Sequence, residues 1–155
     1  MKSFQGLTLS KLDNSGRLKL PPNVVADFKS VDHTGNVVLK YLPEGAIAIR
    51  PANAFESTPS SASSENDDYS DPAGRIRLRK ASLLINYDTI SDQGRLTLPK
   101  NLLDRIAVKA GQNVALIGVS NGYEIWHPES LDAEMDKEIA QDRRQYEQKR
   151  DQPSE

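Results

Sequence analysis

A ten-residue phrase occurs twice in this chain and constrains its fold more tightly than any other feature. Leu12-Asp13-Asn14-Ser15-Gly16-Arg17-Leu18-Lys19-Leu20-Pro21 returns 78 positions later as Ile90-Ser91-Asp92-Gln93-Gly94-Arg95-Leu96-Thr97-Leu98-Pro99. Each copy reads as an apolar residue, a polar turn, Gly-Arg, an apolar/polar/apolar stretch and a proline. Asn23-Val24-Val25 and Asn101-Leu102-Leu103 extend the match. Further on, Gly45 to Pro51 answers Gly122 to Pro128 at an offset of 77, so one copy has absorbed a single-residue indel. A repeat of about fifty residues predicts two halves that pack on each other, each presenting one Gly-Arg turn.

The local chemistry of each half is strand-rich. Leu7 to Leu12 and Leu83 to Ile90 read as strands, and Asp13 to Gly16 and Ser91 to Gly94 as turns, because Asp, Asn and Ser bond nearby backbone and Gly supplies positive φ. Arg17 to Leu20 and Arg95 to Leu98 alternate again, so each half is expected to open with a local hairpin closed by a four-residue loop. The prolines that follow stop the strand and open short helices, Pro21 to Phe28 and Lys100 to Ile106. Closing hairpins are expected at Asn36–Leu42 with Ala46–Arg50, and at Asn113–Val119 with Tyr123–Trp126. Tyr123, Ile125 and Trp126 are best read as core.

The chain divides into residues 1–51, 52–74, 75–128 and 129–155: first repeat, linker, second repeat and charged C-terminal helix with tail. From Ser57 to Asp71 it is rich in Ser, Asn and Asp, a composition that buries too little apolar surface to offset ordering entropy, so a mobile linker is expected. From Glu129 to Arg150 the pattern is helical, with acids early and bases late, as the helix dipole favours. Leu131, Met135 and Ile139 form its only apolar stripe, so the first half should dock and the second should be solvated.

Net charge is −2 over 155 residues, yet the charge is segregated. Residues 1–50 hold seven bases and four acids, and residues 75–128 hold eight bases and four acids. Residues 51–74 carry five acids and no base, while residues 129–155 carry nine acids and five bases. Both repeats are therefore basic, and the linker and tail acidic, which points to a polyanionic partner for the repeats.

Candidate contact residues follow from this. Arg17 and Arg95, placed by Gly16 and Gly94, project from turn ends, where a guanidinium can reach a phosphate or fork onto guanine. The plainer reading is a glycine needed for positive φ and an arginine paired with a carboxylate such as Asp13. Lys11 and Lys19 flank the first turn as generic phosphate contacts or solvated charges. Arg75, Arg77 and Arg79 alternate at the strand period, predicting three guanidiniums on one face of a strand. That face is either a phosphate track or a charged edge neutralised by the acidic linker.

Several classes of function find no support. No serine or threonine has a histidine and carboxylate arranged as a nucleophilic set, and no Gly-rich loop introduces a helix to hold phosphates. With no cysteine and two histidines, disulfides and thiolate metal sites are excluded and no metal or cofactor is expected. No run approaches the ~18 apolar residues of a membrane span. No membrane contact, small-molecule substrate or catalysis is expected, and a cytoplasmic setting is the default.

These residues resemble the MraZ family, two-repeat relatives of the AbrB-like swapped-hairpin transcription factors. The resemblance rests on Phe4-x-Gly6, on Asp13, Gly16 and Arg17, on Gly94-Arg95 with Leu98-Pro99, and on Leu116-Ile117-Gly118 leading to Tyr123-Glu124-Ile125-Trp126. It implies a cytoplasmic, nucleoid-associated regulator that assembles into rings. It further implies binding to short direct repeats in double-stranded promoter DNA of the division and cell-wall gene cluster. By the same likeness the two hairpins would pair into one pseudo-two-fold β unit, with Arg17 and Arg95 facing DNA and Asp13 bracing Arg17.

The chain departs from that pattern at Ser91, where the family has Asp, and in a connecting region less helical than expected. It also has Val25, Ala26, Leu103 and Asp104 where related domains place arginines, with Arg105 as a partial substitute. The expected fold is α+β, two βαβ-type swapped-hairpin repeats forming one intramolecular unit in a homo-oligomer. An antitoxin-like module that acts through a protein partner is the alternative, and a structural assembly protein a third.

Overall fold

The computed structural model describes residues 4–56 and 69–151, and most of the expected linker lies outside them. In chain order the elements are β1 (Leu7–Lys11), β2 (Arg17–Lys19), α1 (Pro22–Val31), β3 (Asn36–Leu42), β4 (Ala46–Pro51) and α2 (Ala52–Glu56). There follow α3 (Pro72–Leu84), β5 (Ile85–Thr89), β6 (Arg95–Thr97), α4 (Lys100–Arg105), β7 (Asn113–Gly118), β8 (Tyr123–Trp126) and α5 (Pro128–Asp151). The fold is α+β, with a six-stranded antiparallel sheet, β1-β7-β8-β4-β3-β5, and a two-stranded ribbon, β2-β6.

That strand order is unchanged if the halves are exchanged and the sheet is read backwards. A pseudo-two-fold axis thus passes between β4 and β8, and between β2 and β6. The closing hairpins form as expected, β3 with β4 and β7 with β8. The opening hairpins do not. β1 pairs with β7 of the other half, β5 with β3, and β2 with β6. Within the first turn region only the Leu12–Leu18 bridge joins the arms. The turn chemistry reverses the chain as read, but both arms gain more by exchange. Leu12, Leu18, Ile90 and Leu96 all enter a core shared by the two halves, each 2% exposed or less.

One face of the six-stranded sheet, with Leu39, Ile47, Ile49, Leu116 and Ile125, supplies the floor of this core. α1 closes over it through Val24 and Phe28, spaced i, i+4 on one face. Phe28 packs with Phe4 and Tyr123, with ring centroids 5.2 to 5.7 Å apart. Burial and nearby Asp27, whose carboxylate accepts from the Tyr123 hydroxyl, push that phenol's pKa up. Phe4 exchanges two backbone bonds with Ser120, and Gly6 accepts from Gly118, so the Phe-x-Gly motif extends β1 along β7. On the opposite face Trp126 packs with Ala46, Ala115 and Leu131 of α5.

Two expectations are corrected. Arg75 to Arg79 is helical: Asp71 caps α3 by accepting from the Ala73 amide, Pro72 begins it, and Arg, Leu, Lys and Ala are strong helix formers. At 100° per residue the three arginines do not line one face. The apolar stripe of α5 docks less far than expected, since only Leu131 of its three apolar residues is buried.

Leu18 and Leu96 sit directly opposite each other in the ribbon, both fully buried. Replacing either by Ala should lower unfolding free energy by about 2–5 kcal/mol. Thr97→Ala, on the exposed side, should change it by less than ~0.5 kcal/mol. Denaturant titration followed by circular dichroism measures both.

Candidate nucleic-acid interface

The two copies of the repeated phrase meet at the ribbon, and the register decides what they present. Arg17 faces Thr97, Leu18 faces Leu96, and Lys19 faces Arg95. Because side chains alternate across a strand, the two leucines point inward, while Arg17, Lys19, Arg95 and Thr97 stand exposed on the other side. Two cations directly opposite each other repel. Among the described residues, neither Lys19 nor Arg95 is ion-paired. Three cations on a narrow, solvent-facing ribbon make a strip that favours an anion.

The turns that aim these arginines are nearly superimposable in their bonding. Gly16 and Gly94 both have φ of +79°, a conformation that costs residues with a Cβ and not glycine. Asp13 N–H donates to Arg17 O and Ser91 N–H to Arg95 O, each at 2.9 Å. Each glycine carbonyl then accepts from the other half, Gly16 O from Leu98 N–H and Gly94 O from Leu20 N–H, again at 2.9 Å. The Gly-Arg turns are thereby locked to each other and not only to their own strands.

They differ at one side chain. Asp13 Oδ1 accepts from the amides of Ser15 at 2.8 Å and Arg17 at 2.9 Å, and its Oδ2 lies 3.3 Å from Arg17 Nε. The Arg17 amide is the main cause of a lowered Asp13 pKa, with the Ser15 amide and the Arg17 guanidinium adding to it against desolvation. At the second turn, Ser91 Oγ accepts from the Arg95 amide at 3.0 Å, which completes the turn but offers no charge to the guanidinium. Arg17 is held in place, while Arg95 has no equivalent anchor among the described residues. The sequence difference between Asp13 and Ser91 signals this directly.

The remaining candidates lie elsewhere. Lys11 ends β1 on the outer face of the large sheet, in a groove with Asn113, His127 and Glu129. Arg75 folds back over the start of α3, donating to Tyr69 O and Ser70 O with its guanidinium over the Tyr69 ring. Arg77 and Arg79 stay on α3, away from the strand face expected of them. Arg105 stacks over Tyr41 with its Cζ 5.8 Å from the ring centroid. Val25 and Leu103 prove to be supports for the turns. A methyl group built on Gly94 would lie 3.2 Å from Val25 Cγ2, and one on Gly16 would lie 3.9 Å from Leu103 Cδ1.

The molecule is thus an α+β protein carrying a basic two-stranded ribbon built jointly by two internal repeats. The chain is 32% identical to the transcriptional regulator MraZ of Dehalococcoides mccartyi, over 80% of this chain and 82% of that protein. It is also 29% identical to the MraZ of Cytophaga hutchinsonii, covering 83% and 82%, and 28% identical to that of Chlorobium limicola, covering 84% and 88%. It belongs to the MraZ family. No family model matches it. Among solved structures, the solution structure of PHS018 from Pyrococcus horikoshii aligns with 83% of this chain and 98% of its own at a TM-score of 0.33 and 14% identity, and contributes nothing to the assignment. Among the described residues, no helix is long and apolar enough to cross a membrane.

The lowered pKa of Asp13 means that folding favours its ionised form. Its contribution to the turn is complete above the ordinary aspartate value of ~3.9 and is lost as pH falls through the lowered one. In an acid titration followed by NMR, the Ser15 and Arg17 amides should shift together with a midpoint below that ordinary value. The Arg95 amide, capped by a hydroxyl, should show no step of this origin.

Proposed function

We propose that this chain is a DNA-binding transcriptional regulator that grips double-stranded DNA with the β2-β6 ribbon and carries out no catalysis. The observation that carries the reading is the shared exposed face of Arg17, Lys19 and Arg95. A two-stranded ribbon fits the major groove. Arg17 and Arg95 are the base readers, since a guanidinium can fork onto guanine, and Lys19, opposite Arg95, is a phosphate contact. The relatives' name, transcriptional regulator, agrees with a role of this kind.

In finer detail, the halves are AbrB-like swapped-hairpin repeats, a reading supported by the exchange of β1, β2, β5 and β6 between them. The target is a set of short direct repeats in the promoter of the division and cell-wall gene cluster, and the setting is the nucleoid in the cytoplasm. A ring-shaped homo-oligomer would occupy several repeats at once, raising avidity without tighter individual contacts.

Replacing one reading arginine by Ala should cost about 1–3 kcal/mol, roughly 5- to 150-fold in affinity. The Arg17→Ala/Arg95→Ala double variant should lose binding to its promoter fragment in a gel shift while keeping its circular dichroism spectrum. Wild-type affinity should fall steeply with salt, and Lys19→Ala should flatten the log–log slope by about 0.9. A double variant that binds as well as wild type would contradict the reading.

A further inference from the structure

The halves differ beneath their Gly-Arg turns, and the difference leaves a cavity under the first. Packing below Gly94 is tight, with a methyl built there 3.2 Å from Val25 Cγ2, whereas the matching distance from Gly16 to Leu103 Cδ1 is 3.9 Å. The helices behind the turns differ too. α1 continues to Val31, but α4 stops at Arg105 and the chain turns away through Ala107 at φ +58°, a left-handed conformation that favours glycine. The single-residue indel between the repeats falls here, between Leu103 and Gln112. Where the helix is shorter, a cavity of about 480 Å³ opens between the first turn, α4 and the loop after it, within the size range of small-molecule sites.

Leu98, Leu103 and Val108, each no more than 6% exposed, give this cavity an apolar floor. Asn14 to Gly16 form one wall, and Lys109 and Ala110 another. The Gly111 amide donates to Leu12 O and the Lys109 amide to Gln112 Oε1, each at 2.9 Å, which fixes the loop against the turn. At the rim stand Lys100 and Lys109 with one acid, Asp104, a surplus of one positive charge. All three are exposed, and none forms an ion pair among the described residues. We propose that the cavity binds a small monoanion with an apolar body, its body on the floor and its carboxylate facing Lys100 and Lys109. A neutral apolar molecule would leave the surplus charge unmet, and a bare anion would leave the floor wet. The occupant lies against the turn that aims Arg17. Gly16 O holds the Leu98 amide, and Thr97, which also lines the cavity, faces Arg17 across the ribbon. Negative charge added there opposes phosphate, so occupancy lowers DNA affinity, a consequence that rests on the reading of the ribbon as the DNA-binding surface. By linkage, DNA lowers the affinity of the anion by the same factor.

Amide NMR titration of the full chain with indoleacetate tests this, with uncharged indoleacetamide and inorganic phosphate as controls. Indoleacetate should shift the Ser15, Gly16, Leu103 and Val108 to Gly111 amides together and saturably. Indoleacetamide should bind about 10-fold more weakly, as expected for loss of one charge-assisted contact, and phosphate should leave these amides in place. Lys100→Glu/Lys109→Glu should weaken indoleacetate to a similar degree, and Ala110→Trp, whose side chain would fill the cavity, should abolish its binding. All three positions are exposed, and circular dichroism checks that each variant is folded. Should a variant not fold, the three probes on the wild type still decide. In a gel shift with the promoter fragment, saturating indoleacetate should weaken wild-type binding about 5-fold or more and leave Ala110→Trp unaffected. No saturable shift, equal binding of indoleacetamide, or the same shifts with phosphate would overturn the site, and unchanged DNA affinity at saturation would overturn its effector role. If the chain does not bind DNA at all, the amide shifts still report the site, so failure of the DNA reading and failure of this one are distinguishable.

Discussion

The pairing of β2 with β6 is the interaction on which the rest of the structure depends. An isolated two-stranded ribbon is marginal in water, and here its outer face sets Lys19 against Arg95, which weakens it further. What compensates is the inner face. Leu18 and Leu96 are fully buried, and the flanking Leu20 and Leu98 amides bond to the glycine carbonyls of the opposite turns. The hydrophobic burial that joins the halves is therefore the same burial that holds the cations together. The proposed recognition surface and the contacts that stabilise the fold sit on the two sides of one six-residue ribbon.

The near-symmetry of the ribbon makes its single asymmetry informative. Both turns use Gly at the same φ and the same backbone bonds, so both arginines leave the chain at equivalent points. Among the described residues, only the first is pinned by a carboxylate. A pinned guanidinium loses less freedom when it contacts a ligand but must exchange its partner to do so, whereas a free one can adapt its reach. On the proposed reading, the two halves would offer one pre-set reader and one adaptable reader. That suits a target whose two contacts are alike without being identical.

Much of this was legible in the sequence, because it is local. The closing hairpins, the short helices after the prolines, the turns and the burial of Tyr123, Ile125 and Trp126 all follow from periodicity and turn chemistry. The contrast between Asp13 and Ser91 was legible for the same reason. What local patterning hid was long-range pairing, which only the family resemblance implied. An alternating strand followed by Asp-Asn-Ser-Gly and another alternating strand reads the same whether its arms pair with each other or with a distant copy. Arg75-Ile76-Arg77-Leu78-Arg79 alternates as a strand would, yet the cap at Asp71, Pro72 and the helix preference of the residues decide for α3. The grouping of Lys19 with Arg95, and the separation of Lys11 from both, depends on the β2-β6 register, which no local signal carries.

The central claim is that the ribbon built by both repeats is the surface that meets DNA. Hydrogen–deuterium exchange of the full chain, with and without a duplex carrying its promoter repeats, tests it most directly. The account predicts that residues 13–19 and 91–97 become protected together and to a similar extent. Protection of one segment without the other, or protection confined to α3 while the ribbon exchanges as in the free protein, would contradict it.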